Sequence, residues 1–254
     1  IALQLVVFPH TGLISRPGTA ELMRDAMALG VENVGGLNPC GIDNDPIAQL
    51  DFVFKLAIEF QRGVDIHLHD KGELGLWQIK LIADYTQRFG LQGRVMISHA
   101  YCLGMLPWSQ VQPVAESLAA LRISLMSSAP ADCAVPPYLA LRAVGVNVCL
   151  GSDGIRDAWS PMGNGDMLER AMLLAFRFDL NKDEELAAAF DAASVNGARA
   201  LGCEAYGVDI GCPADFLLMP VQTLGEAVVS RPLREVYRGG RLIATAGRLL
   251  DSRL

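Results

Sequence analysis

Residues 64–70 read Val-Asp-Ile-His-Leu-His-Asp, and the fold turns on how this stretch is read. A short Val/Ile-rich run with two histidines two positions apart is a strand that carries both imidazoles on one face. Helical patterns flank it. Residues 45–61 open with Asp45-Pro46, an N-cap with proline at the first helical position, and residues 74–88 close at Gly90. Working outward, residues 2–8, 31–37, 94–99, 123–126 and 146–153 read as further strands, and 19–29, 109–121 and 137–143 as helices. Apolar strands regularly separated by helices mean parallel βαβ units. Six such units suit a (β/α)8 barrel or a doubly wound sheet, and no Gly-x-Gly-x-x-Gly supports dinucleotide binding. After residue 160 the pattern changes: two helices, 163–178 and 182–201, lead into a Gly- and strand-rich tail, 208–250.

Composition excludes several classes. The 254 residues are 51% hydrophobic and 19% charged, enough to form a core and too apolar for a disordered chain. No apolar run of about 18 residues offers a membrane span. A net charge of −7 lacks the basic footprint of a nucleic-acid binder. Cys40, Cys102, Cys133, Cys149, Cys203 and Cys212 form no Cys-x-x-Cys pair and read as free thiols of a cytoplasmic protein.

All four histidines, His10, His67, His69 and His99, fall at or just past the carboxyl end of an expected strand. The sixth strand ends in Gly151-Ser152-Asp153-Gly154. That edge of a parallel α/β fold is where side chains from separate strands meet a ligand. Imidazoles plus a carboxylate suit Zn or Fe held by two or three His and an Asp, with a position left for water. Such a metal makes hydroxide available near neutral pH, and Asp70 or His99 then moves a proton to the leaving group. The chemistry implied is metal-assisted hydrolysis.

The strand ends V-D-I-H-L-H-D (64–70), R-V-M-I-S-H-A (94–100) and L-G-S-D-G-I-R-D-A-W (150–159) resemble the fifth, sixth and eighth barrel strands of the amidohydrolase superfamily, in its cytosine deaminase-like branch. The opening L-Q-L-V-V-F-P-H (3–10) is similar to that family's third strand. The segments 206–220 and 234–244 are similar to its closing β subdomain. The resemblance implies an incomplete TIM-type barrel, strands three to eight, over residues 1–203, and a small C-terminal β subdomain over 204–254. It makes His67 and Asp153 metal ligands, with Asp153 also a general base. His99 contacts the attacking water or substrate, and Asp70 is the acid/base group. It puts His10 at a ring-recognising position and Trp159 in the pocket lining. His69 has no fixed family role and reads as a residue of the pocket or one behind the metal ligands, rather than as a ligand itself.

The implied reaction is deamination of a heterocyclic amine, a cytosine-like pyrimidine or a triazine, by hydroxide that a divalent metal supplies. Departures from the family pattern keep two alternatives open. Asp70 is one methylene shorter than the family's Glu, Gly154 replaces an Asp, and His10 replaces a Gln. Hydrolysis of a cyclic amide or an N-alkylamine therefore stands beside deamination, as does a non-catalytic fragment or degenerate paralogue. Reading His67-Leu68-His69 as the superfamily's first-strand His-x-His fits less well, because two strands would precede the barrel. The chain is then expected to be the C-terminal portion of a larger enzyme, binding metal weakly by itself. Homo-oligomer formation stays open.

Overall fold

Asp45 begins a helix as its sequence requires: its carboxylate accepts the Ala48 N–H at 2.9 Å and Pro46 follows it. The same local logic ends the next helix at Gly90, which takes the left-handed conformation (φ 67°). In the computed structural model, which describes residues 3–250, the chain divides into two compact units, residues 1–148 and 149–254.

The first unit alternates strand and helix: β1 (Val6–Val7), α1 (Thr19–Ala28), β2 (Asn33–Leu37), α2 (Pro46–Glu59), β3 (Gly63–Leu68), α3 (Gly72–Phe89), β4 (Val95–His99), α4 (Trp108–Ala120), β5 (Ser124–Ser127) and α5 (Tyr138–Ala143). A 3-10 turn, Tyr101–Gly104, follows β4. The sheet runs in the order β1-β2-β3-β4-β5 and continues into β6 (Val148–Leu150), and the pairings from β1 through β5 are parallel. Ile66, Leu68 and Ile97 are wholly buried on the strands, as are Leu50, Val53 and Phe54 of α2 and Ile79 and Ile82 of α3. Each such side chain stabilises the fold by about 1.5–3 kcal/mol relative to exposure.

β2 is built for close approach. A Cβ on Gly35 would lie 2.6 Å from the Val7 carbonyl oxygen and 2.9 Å from the Phe8 ring, and one on Gly36 would lie 2.5 Å from Ile66. The strand expected over 2–8 is much shorter, Val6–Val7. Residue 2 lies outside the described residues, and Pro9, without an N–H, stops the ladder where His10 N–H turns back to the Phe8 carbonyl.

The second unit holds α6 (Met167–Arg177), α7 (Asp183–Ala192), α8 (Val195–Ala200), α9 (Leu224–Ser230) and an antiparallel sheet in the order β10-β9-β8-β7, formed by β7 (Phe216–Leu218), β8 (Glu235–Arg238), β9 (Arg241–Thr245) and β10 (Arg248–Leu249). Two expectations are corrected here. The helix expected over 182–201 is two helices, broken at Ser194 (φ −136°, ψ −96°), whose hydroxyl bonds the Phe190 carbonyl at 2.7 Å. The tail is not all strand and turn, because α9 lies within it, with its N-cap Thr223 accepting the Glu226 N–H at 3.0 Å. α9 packs on α6 and α7. No helix among the described residues is long and apolar enough to cross a membrane. Burial pushes the Cys102 thiol up to about 12.

Candidate metal centre

His67 and His69 stand at the end of β3 and His99 at the end of β4, and one ligand atom from each lies within 4.8 Å of the others. The ring centroids are 5.0 Å apart for His67–His99 and 4.3 Å for His69–His99. His67 Nδ1 and His99 Nε2 are 3.3 Å apart. Two nitrogens on one tetrahedral centre, with bonds of about 2.0–2.1 Å, are separated by about 3.3 Å, so the His67–His99 pair fits a shared divalent cation, with His69 close by.

Strand register alone would not produce this cluster. In the β3–β4 ladder His67 is partnered by Ser98 and Leu68 by His99. A regular β4 would therefore aim the His99 ring at the face that Leu68 uses. His99 instead has φ 73° and Ala100 φ 48°, and this left-handed pair re-aims the imidazole toward His67. Non-glycine residues rarely hold this conformation without surrounding support. Alternation read from the sequence would keep Ser98 away from the site. Ser98 in fact shares the His67 face, where its buried hydroxyl donates to Asp65 Oδ1 at 2.9 Å.

The electrostatics suit a ligand. Burial, with the fields of His69 and His67 adding, lowers the His99 pKa to about 3, which keeps the ring neutral and a lone pair available. Below the cluster the Asp65 carboxylate is itself buried, and desolvation raises its pKa to about 6 against the Ser98 hydrogen bond. Its Oδ1 lies 4.0 Å from His67 Nε2.

Two residues that sequence reasoning passed over also belong here. The Tyr101 hydroxyl lies 3.2 Å from His99 Nδ1. Asn38, one residue past β2, places its Oδ1 2.7 Å from the His69 backbone nitrogen and 3.1 Å from His69 Nδ1. Neither breaks a sequence pattern. Asn38 could have been noticed as an amide at the same strand edge as the histidines.

The remaining expected residues are placed as follows. Asp70 Oδ2 accepts from the Gly41 N–H at 3.2 Å and from Gln78 Nε2 at 2.9 Å, fastening the loop after β2 to α3. His10 is exposed beyond β1, and the neighbouring Phe8 ring lies 4.7 Å from that of His67. In the second unit Asp153 follows β6 with φ 60°, a left-handed value. Trp159 is 76% exposed, its N–H donating to Asp157 Oδ1 at 2.9 Å. His69, expected as a pocket residue, is within the cluster itself.

Known proteins resemble this chain over nearly its whole length. The N-isopropylammelide isopropyl amidohydrolase of Pseudomonas sp. (strain ADP) is 32% identical over 248 residues, covering 96% of this chain and 61% of that protein. The crystal structure of N-isopropylammelide isopropylaminohydrolase from Burkholderia multivorans ATCC 17616 matches with a TM-score of 0.95 and 43% identity, over 97% of this chain and 64% of that one. The 5-methylcytosine deaminase from Klebsiella pneumoniae liganded with phosphonocytosine matches with a TM-score of 0.86 and 26% identity, over 99% and 65%. The chain thus spans less than two thirds of the length of these relatives. The Amidohydrolase family model matches residues 2–244, and the chain belongs to that family.

Proposed function

We propose that this protein serves hydrolysis of an exocyclic C–N bond on a nitrogen heterocycle, with a divalent cation, Zn or Fe, held by His67, His69 and His99. The observation that carries this reading is the three-imidazole cluster at one strand edge, with ligand atoms within 4.8 Å. A cation there would act as a Lewis acid and lower the pKa of a water near the ring carbon under attack.

The chain's own residues do the rest. His99, neutral because it is buried, would offer Nε2 to the site, with the Tyr101 hydroxyl 3.2 Å from Nδ1. Asp70 is the candidate proton-transfer group through Oδ1, since both donors described above fall on Oδ2. Asp153 as carboxylate ligand and base, and His10 and Trp159 as substrate contacts, are proposed from the sequence resemblance. On the same basis β1 to β6 correspond to strands three to eight of an eight-stranded barrel.

An N-alkylamino triazine is the favoured substrate class, supported by the N-isopropylammelide hydrolases matched over nearly all of this chain. A ring-amine deaminase is the second reading, supported by the 5-methylcytosine deaminase structure. Amine release decides between them. The protein, supplied with Zn²⁺ or Fe²⁺, is incubated with N-isopropylammelide, cytosine or 5-methylcytosine. The favoured reading expects isopropylamine from the first, and the second expects ammonia from the others. His99→Ala should reduce either by about 10²-fold or more. Absence of both products overturns the proposal.

A further inference from the structure

We propose that Asn38 is the positioning residue of this site, its side-chain oxygen holding the His69 imidazole in the Nδ1–H form so that Nε2 is the nitrogen offered to a cation. The metal half of this statement rests on the function proposed above. The tautomer half does not.

The assignment follows from donor and acceptor chemistry. The His69 backbone N–H can only donate, so the Asn38 atom 2.7 Å from it is the amide oxygen. The same oxygen lies 3.1 Å from His69 Nδ1. A bare Nδ1 would set two lone pairs against each other, whereas a protonated Nδ1 makes a second hydrogen bond. In a neutral imidazole, protonation of Nδ1 leaves the lone pair on Nε2.

The backbone holds the amide in place from both sides. The Asn38 N–H donates to the His67 carbonyl at 3.0 Å, and Oδ1 takes the N–H two residues further along. The side chain thereby supplies the next rung of the β2–β3 ladder after the backbone has left it. Asn38 has φ 36°, a left-handed value that asparagine tolerates better than most residues. Its short side chain reaches the backbone nitrogen and the ring at once. Partners of this kind fix which nitrogen of a ligand histidine faces the metal.

The test reads the tautomer directly. Two-bond ¹H–¹⁵N correlation spectra of the metal-free, ¹⁵N-labelled protein, at a pH where its histidines are neutral, should show His69 protonated at Nδ1. Asn38→Ala should move it toward the Nε2–H form that free imidazoles prefer, and Asn38→Asp, which keeps the acceptor, should restore Nδ1–H. Titration with Zn²⁺ should give about 10–100-fold weaker binding for Asn38→Ala, whereas in a His69→Ala background Asn38→Ala should cause no further loss.

An Nε2–H ring in the unsubstituted protein, or an unchanged tautomer in Asn38→Ala, overturns the proposal. Unchanged Zn²⁺ affinity with a shifted tautomer overturns its metal half. If Zn²⁺ binds neither protein, the metal centre itself fails, and the spectra still decide the role of Asn38. Should Asn38→Ala not fold, as judged by circular dichroism, the spectra of the unsubstituted protein and Asn38→Asp remain decisive.

Discussion

His67 Nδ1 and His99 Nε2 lie 3.3 Å apart although the sheet register pairs His67 with Ser98 and sets His99 beside Leu68. The left-handed backbone of His99 and Ala100 closes that mismatch, at a cost to stability. At φ 73° a side chain is disfavoured by about 1–2 kcal/mol, whereas glycine is not. His99→Gly should therefore be more stable than His99→Ala by about 1 kcal/mol, the reverse of the order in an ordinary strand. Urea denaturation of the two variants measures the difference.

Zn²⁺ should raise the melting temperature in a concentration-dependent way, and a chelator should reverse the shift. At free Zn²⁺ of about 100 Kd the stabilisation is about 2.7 kcal/mol. His67→Ala should reduce or abolish the response. Thermal denaturation across a Zn²⁺ series is the measurement, and a shift of equal size in His67→Ala would count against the centre.

Asp43 ties three segments together. Its carboxylate accepts the Leu13 N–H at 3.0 Å, the Ser15 N–H at 3.0 Å, the Ser15 hydroxyl at 2.8 Å and Gln49 Nε2 at 2.6 Å. Desolvation pushes its pKa up, but these donors outweigh it and hold the group below the ordinary carboxylate range. A depressed folded-state pKa means that the contribution is complete above the unfolded value, about 4. It is lost as pH falls through the folded one. Asp43→Ala should cost about 2–4 kcal/mol at neutral pH and should flatten the acid limb of the stability profile below about pH 4. Denaturation across pH checks both.

Two glycines should respond with opposite signs. A Cβ on Gly104 would sit 2.3 Å from the Val135 carbonyl oxygen, whereas one on Gly197, inside α8, meets nothing within 4 Å. Gly104→Ala should destabilise by about 2–3 kcal/mol, and Gly197→Ala should stabilise by about 0.5–1 kcal/mol. Denaturant midpoints distinguish the two.

The parts of the fold written in local signals were legible. Asp45-Pro46 and Gly90 bound their helices as read, and apolar runs at 63–68 and 95–99 form adjacent parallel strands. Thr223-x-x-Glu226 carries the S/T-x-x-E helix-start signature, available for α9, although Glu226 Oε2 accepts from the Gln222 N–H, one residue before the cap, at 2.8 Å. The break at Ser194 carries no such mark, because Ala and Val flank it and neither stops a helix. Within the site, the strand-end position of all three clustered histidines was readable. The face on which His99 presents its ring was not, since alternation assumes extended φ and His99 is left-handed. Asn38 escaped because it acts through hydrogen bonds that cross between segments, of which periodicity carries no record, and Tyr101 because its contact with His99, two residues away, follows from that left-handed turn.

Gly35 has no side chain to offer as a ligand, yet it governs the space beside a histidine. The Phe8 ring occupies the place a Cβ at position 35 would enter, 2.9 Å away, and that ring flanks His67. Any larger residue on β2 would be felt at His67 as a displaced aromatic wall. The aperture next to the imidazole is thus set from a neighbouring strand, and its width can be altered without changing a single donor atom.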